Sequence, residues 1–279
     1  MRMKTGEVQP AKRLQCMHWP DAAEALHRPG STLVWPMGAM EQHGPQLPLV
    51  TDALFAERIL DAVLGELPSD LPIWSLPAQV IGFSPEHRGF PGTVSLSAEL
   101  LIGLIKEVGQ QLAEQGVERL VLFNAHGGQI GLLQAAAREL AAQSPSMAVL
   151  PCFVWSGVSG LNDLLPDHEM KHGLHAGLAE TSLMLALEPS LVGSERPSDG
   201  DHSSAGSAST PPQGWSLEGA SPMAWFTADL SVCGVVGDSR AADAELGRQL
   251  QSLLVSHWKA LFNSLLASSW PPRADPRRI

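Results

Sequence analysis

At 279 residues, 44% hydrophobic and 17% charged, the chain suits one large domain and can bury a substantial core. Its formal charge of -11 argues against a partner held through phosphates, since nucleic-acid affinity rests on Lys and Arg neutralising the backbone. The first residues, Met1 to Pro10, carry early positive charge but no apolar stretch of a secretory signal, and no apolar run approaches the roughly 18 residues of a membrane span.

A cytoplasmic protein without nucleic-acid or membrane partners is therefore expected. Cys16, Cys152 and Cys233 are odd in number, far apart and free of Cys-x-x-Cys spacing, and read as buried or free thiols of a reducing compartment.

In chain order, Thr32 to Trp35 reads as a buried strand, and Thr51 is a candidate cap for a helix running to about Leu64. Ile73 to Leu76 and Val80-Ile81 are short strand candidates. Ser97 is a good N-cap for a helix from Ala98 to about Gln115, with Gly116 as its stop. Arg119 to Phe123 makes a strand, Gln129 to about Ala142 a helix, and Ala148 to Val154 another strand. From Ser194 to about Pro222 the composition turns to Ser, Gly, Pro and Asp, which fits a surface excursion, a lid or a subunit contact. Asp243 to Ala267 returns to helical spacing, with a broad apolar stripe from Leu246 to Leu261. The last residues, Pro271 to Ile279, look like a solvated tail. No internal repeat or second domain is evident. Alternating strands and helices predict an α/β domain with a mostly parallel sheet, because parallel strands need crossover connections, and ligands in such sheets gather beyond the strands' carboxyl ends.

Residues that could carry chemistry lie at that rim. The Gly- and Pro-rich stretch from Met37 to Asp52 holds Glu41, His43 and Asp52 after one strand; Asn124-Ala125-His126-Gly127-Gly128 follows another; and His175-Ala-Gly-Leu-Ala-Glu180 opens a helix-like segment. Two imidazoles and three carboxylates form a metal-ligand set. Crowded carboxylates without a cation would repel and take up protons, whereas two divalent ions would balance Glu41, Asp52, Glu180 and a bridging hydroxide. Carboxylate with imidazole suits zinc, manganese or iron better than calcium. The bland alternatives are a hydrogen-bonded His126 and a Glu180 that only favours the helix dipole. Five residues separate His175 from Glu180, about 140° on an ideal helix, so the two converge only if His175 precedes the first turn. One stretch, His168-Glu169-Met170-Lys171-His172, has His-Glu-x-x-His spacing, and there is no Gly-x-Ser-x-Gly, Gly-x-Gly-x-x-Gly or Walker loop, which leaves metal-assisted hydrolysis.

Together, Met-Gly-Ala-Met-Glu41-Gln-His43-Gly-Pro with Asp52, Gly82-Phe-Ser-Pro-Glu86-His87-Arg-Gly-Phe-Pro-Gly-Thr93, Asn124-Ala-His126-Gly-Gly, His175-Ala-Gly-Leu-Ala-Glu180-Thr-Ser and Gly234-Val-Val-Gly-Asp238 resemble the creatininase (creatinine amidohydrolase) family, in family order from about residue 30 to 240. The resemblance implies a three-layer αβα enzyme, commonly a homo-oligomer and often a hexamer, with two divalent metal ions per chain, zinc first and manganese or iron as alternatives. It places Glu41, His43, Asp52, His126 and Glu180 on metal-ligand positions, with Asp52 as bridge, and His175 on the position of a catalytic histidine that passes a proton to the departing nitrogen. Glu86 and His87 become candidates for substrate contacts or for support of the ligands, and Trp155 for a cover.

The pattern departs from true creatininases at Gly128, where they carry a Glu, and at Lys171-His-Gly-Leu before His175, where they carry a Trp. The expected activity is attack of metal-activated hydroxide on a small amide, formamide or lactam, with creatinine a poor substrate. A peptidase for a short modified peptide is the second reading, and a non-catalytic, metal-stabilised binding or assembly protein the third.

Overall fold

The structure, a computed structural model, describes residues 12–200, 211–219 and 221–271. Helix α1 (Trp19–Leu26) leads into strand β1 (Thr32–Met37), followed by α2 (Thr51–Glu66), β2 (Ile73–Ser75), α3 (Ala98–Glu114), β3 (Arg119–Asn124), α4 (Ile130–Gln143) and β4 (Ala148–Phe153). Short helices α5 (Leu161–Leu164) and α6 (Asp167–His172) precede α7 (Leu178–Leu187). After these come β5 (Ser198–Asp199), α8 (Thr227–Leu230), β6 (Gly237–Asp238) and the long α9 (Ala244–Ala267).

The four longer strands form a parallel sheet in the order β2-β1-β3-β4. Both central strands are buried along their whole length, which is what a parallel sheet covered on two faces demands and why they read as continuous apolar runs. Side chains alternate across the sheet. Val34, Val121 and Phe123 join the core under α2, α7 and α9, while Leu33, Trp35, Met37, Leu120 and Leu122 join the core under α1, α3 and α4. The result is the expected three-layer α/β architecture. In-register pairing of Met37 with Asn124 ends β1 and β3 at the same level, so the loops after them leave the sheet side by side.

The cap predicted at Ser97 forms, whereas Thr51 is already the first residue of α2, after Val50, and its hydroxyl donates to Pro48 O (2.7 Å) instead of capping. Ser97 Oγ accepts from Leu100 N at the start of α3, and Asp243 accepts from Glu245 N and Leu246 N at the start of α9. Gly116 takes φ +93 just past α3, a conformation that favours glycine. The expected strand at Val80-Ile81 does not form. Gln79 makes a single bridge to Met37, and the chain then crosses the end of β1 so tightly that a Cβ on Gly82 would lie 2.4 Å from Gly38 O.

The Ser/Gly/Pro-rich segment from Ser194 contains β5, which pairs antiparallel with β6. Residues 201–210 and 220 of that segment, the N-terminal stretch 1–11 and the tail from 272 lie outside the described residues. Cys16 is exposed, Cys152 and Cys233 are partly buried, and all three thiols are free. Among the described residues no helix is long and apolar enough to cross a membrane.

Helices α7 and α9 approach so closely that a Cβ on Gly247 would stand 1.9 Å from Ser182 O. Backbone cannot yield as a flexible side chain can, so Gly247→Ala is expected to cost about 1–3 kcal/mol, read as a lower denaturation midpoint. Unchanged stability would mean that the two helices separate freely.

Candidate metal centre

Three loops at the carboxyl ends of the strands build the site. The first leaves β1 with Glu41 and His43 and enters α2, where Asp52 occupies the first turn. The second leaves β3 with His126. Asn124 clamps it by accepting from His126 N (3.0 Å) and donating to His126 O (2.7 Å). The third carries Ser84, Glu86 and His87. Gln129 ties all three together: its Nε2 donates to Gly38 O (3.2 Å) and Asn124 Oδ1 (2.8 Å), and its Oε1 accepts from Phe83 N (3.1 Å).

His175 precedes α7, as convergence with Glu180 requires. Its backbone pairs with Val236, Ala176 turns the chain at φ +55, and α7 then begins at Leu178 with Glu180 in its first turn. Ala176 N donates to Glu180 Oε2 (2.6 Å), which draws that half-buried carboxyl inward. Buried Glu169 supports this turn. Its carboxylate accepts from Ala179 N at 2.9 Å and fills the space beside Gly173 and Gly177, where added Cβ atoms would lie 2.4 and 3.0 Å from it.

Glu41, His43, Asp52, His126 and His175 are all buried. Asp52 turns Oδ1 toward His43 Nε2 (3.2 Å) and Oδ2 toward His126 Nδ1 (3.3 Å). Glu41 Oε2 accepts from Ser84 Oγ, while Oε1 faces His126 Nδ1 (3.3 Å), His87 Nε2 (3.4 Å), His175 Nδ1 (3.8 Å) and His43 Nε2 (3.9 Å). Asp52 Oδ2 is buried yet receives no hydrogen bond, an orphan that a cation would satisfy. Bonds of about 2.0–2.2 Å from a divalent ion leave neighbouring donors about 3 Å apart, the spacing observed. The donor chemistry therefore fits a metal. Glu41, His43 and Asp52 form one group of ligand atoms within 4.8 Å, and His43, His175 and Glu180 form another.

Burial pushes Glu41 up, against the pull of His126, and pushes Glu180 up to about 7, against His43. Burial also disfavours the charge on Asp52, but His43 and His126 hold it well below the usual carboxylate range. Burial favours the neutral His43 ring, yet Asp52 raises it to about 9; His126 is raised likewise by Glu41 and Asp52. His87 goes the other way, lowered to about 3 by burial and by the neighbouring His43 and His126 charges. His175 is lowered well below its ordinary value by burial and by His87 and His43. Without metal, protons on His43 and His126 thus stand where cations would sit.

The site brings together Glu41, His43, Asp52, His126, His175 and Glu180, with Glu86 and His87 beside them. Glu86 Oε1 lies 3.3 Å from His126 Nε2, and a Cβ on Gly128 would meet that oxygen at 1.7 Å. The departure at Gly128 and the presence of Glu86 are one feature: the carboxylate fills the volume that glycine leaves. Trp155 instead packs edge-on against Phe55 at 6.2 Å, with the core under α2. The indole beside the imidazoles is Trp225, edge-on to His87 at 6.4 Å. Gln42, Ser84 and Thr227 also touch site residues, and residue-by-residue reasoning missed them. Gln42 and Ser84 were visible only as fillers inside motifs, and nothing local marks Thr227 or Trp225.

A doubly covered parallel sheet with a carboxylate–imidazole centre at its carboxyl rim defines the class: an α/β protein with the donor set of a metal hydrolase. Residues 15–262 match the family described as creatininase, creatinine amidohydrolase, and the chain belongs to the creatininase family. It is 34% identical over 238 residues to a mycofactocin precursor peptide peptidase of Mycobacterium tuberculosis, covering 80% of this chain and 81% of the relative. It is 29% identical over 192 residues to a creatinine amidohydrolase of Pseudomonas putida, covering 64% and 72% respectively. A crystal structure of creatinine amidohydrolase superposes with a TM-score of 0.75 at 22% identity, over 90% of this chain and 96% of the other, which shows the shared fold. Other creatininase structures of this fold are named for manganese and for a zinc pair.

Two outcomes follow for the centre. Raised values at His43 and His126 mean that both rings carry protons near neutral pH until metal displaces them, so metal uptake should release protons and affinity should fall on acidification. Titration calorimetry in buffers of different ionisation enthalpy reads the release, and a buffer-independent heat would contradict it. Asp52→Asn should lower the metal content found by metal analysis, because the two oxygens of Asp52 face two different imidazoles.

Proposed function

We propose that the chain is a metal-dependent hydrolase of an amide C–N bond, with a short peptide as its substrate class and small amides as the second reading. One observation carries the chemistry: the buried Asp52 addresses two donor sets with its two oxygens, His43 through Oδ1 and His126 with Glu41 through Oδ2. Glu41, Asp52 and His126 would hold one divalent ion, and His43, Asp52 and Glu180 the other, zinc first among the candidates. Such ions, when bound, activate water and polarise a carbonyl.

The chain's own part in the reaction begins with His175. Its Nε2–H donates to Gln42 O at 2.7 Å, which leaves the Nδ1 lone pair facing the pocket. His175 can take the proton of the attacking water as the C–O bond forms and return it to the departing nitrogen as the C–N bond breaks. A carboxylic acid and an amine leave.

Two observations support a peptide over the small amides expected from sequence motifs. The relative named for a precursor peptide is more similar and matches more of the chain than the one named for creatinine. The segment that brings Trp225 to His87 also exposes Trp215, Met223 and Phe226, apolar side chains open to a substrate larger than a lactam.

The test is turnover by the metal-loaded protein across short peptides, formamides, lactams and creatinine. Peptides are expected to lead, with creatinine weak or inert, and creatinine as the best substrate would overturn the reading. His175→Ala should keep its metal and lose about a hundredfold or more in turnover, the scale of general acid–base catalysis. Loss of an ion in that variant would make His175 a ligand.

A further inference from the structure

His87 is buried against the ligand set, and none of the steps above uses it. Its two ring nitrogens have different surroundings. Nδ1 lies 2.8 Å from Gln42 Nε2 and 2.8 Å from Thr227 Oγ1. An amide nitrogen only donates, so Nδ1 must accept, and the proton of the neutral ring sits on Nε2. The hydroxyl of Thr227 can rotate to donate to the same lone pair.

Two backbone groups of opposite polarity fix the amide itself: Gln42 Oε1 accepts from Gly44 N (2.9 Å), and Nε2 donates to Gly234 O (3.0 Å). Turning the amide over would set N–H against N–H and oxygen against oxygen. Gly234 leaves it room, since a Cβ there would lie 2.0 Å from Gln42 Oε1. The protonated nitrogen of His87, Nε2, therefore faces Glu41 Oε1 and the ligand set at 3.4 Å.

The same Gln42 also sets the neighbouring imidazole. Its backbone oxygen takes the Nε2–H of His175, whose ring centroid is 4.1 Å from that of His87. Both rings carry their proton on Nε2, but they present opposite nitrogens to the pocket. His87 offers an N–H there, and His175 offers a lone pair. In this tautomer His87 cannot ligate a metal through Nε2, because a bare Nε2 would require an Nδ1–H pressed against the Gln42 amide.

We propose that His87 is the hydrogen-bond donor to the oxygen of the scissile carbonyl and that Gln42 is the positioning residue that aims both imidazoles. The proposal rests on the amide-hydrolase reading above. As water adds to the carbon, the π pair of the carbonyl moves onto oxygen, and His87 Nε2–H stabilises that charge by hydrogen bonding without giving up its proton. The proton of the water goes to His175 Nδ1, then to nitrogen as the C–N bond breaks. Donor and acceptor are thus separate side chains, and neither needs to change tautomer during turnover.

Nitrogen-15 NMR of the histidine rings in the wild-type protein tests the arrangement directly, without any variant. His87 is expected to show a protonated Nε2 and a bare Nδ1, in metal-free and zinc-loaded protein alike. His87→Ala should keep its full metal content and lose about a hundred- to a thousandfold in kcat with a smaller change in KM. His87→Gln, which restores a donor, should recover part of the loss. Gln42→Leu should lower kcat in the same way, and adding it to His87→Ala should cost less than it does alone. An Nδ1–H tautomer on His87, unchanged kcat in His87→Ala, or loss of an ion from that variant overturns the proposal and leaves the hydrolase reading standing. A wild-type protein inert toward every amide overturns both.

Discussion

A single buried carboxylate governs the architecture of the site. Asp52 is sealed from water, and a lone charge in such surroundings costs several kcal/mol unless it is paired. Its partners come from two different connections, His43 from the loop after β1 and His126 from the loop after β3, so its charge is tolerable only when both loops are in place. Parallel pairing of β1 with β3 ends both strands at one level and makes that possible. Position at the start of α2 adds the favourable end of the helix dipole. The alternating pattern of the sheet thus leads directly to a pocket where two oxygens of one residue face two imidazoles.

The remaining groups divide around that anchor by electrostatic logic. His43 and His126 gain basicity from the carboxylates they face in spite of burial, whereas burial, helped by neighbouring imidazoles, lowers His87 and His175. Four rings of one chemical type are thereby sorted into two that pair with the anionic donors and two that stay neutral. Neutral rings are the ones able to handle a substrate proton or carbonyl. Gln42 has a share in both halves, since it is flanked in sequence by Glu41 and His43 and bonded through space to His87 and His175.

Much of this was legible in the sequence. The apolar runs at Thr32 and Arg119 are buried on both faces of the sheet and carry no alternation to mislead. The candidate donors on the loops after them are drawn to one rim by topology alone. Less visible were features set by tertiary contact. Val80-Ile81 is apolar enough for a strand, but Gly82 must cross the end of β1 within 2.4 Å of backbone, and the ladder stops. Trp155 and Trp225 are equally aromatic in sequence, and only the fold sends one to Phe55 and the other to His87. Gly128 lacks the family's carboxylate in sequence, and only the fold shows Glu86 Oε1 filling the space beside it.

The three-way grip of Gln129 on Gly38, Asn124 and Phe83 separates what is rigid from what can be exchanged. It fuses the connections that carry Glu41, His126 and Glu86 into one block, so none of them can shift to suit a new substrate without dragging the others. The segment holding Trp215, Met223 and Trp225 is outside that block and meets it through Thr227 on His87. That strip of chain can therefore be rewritten while the block beneath it stays as it is.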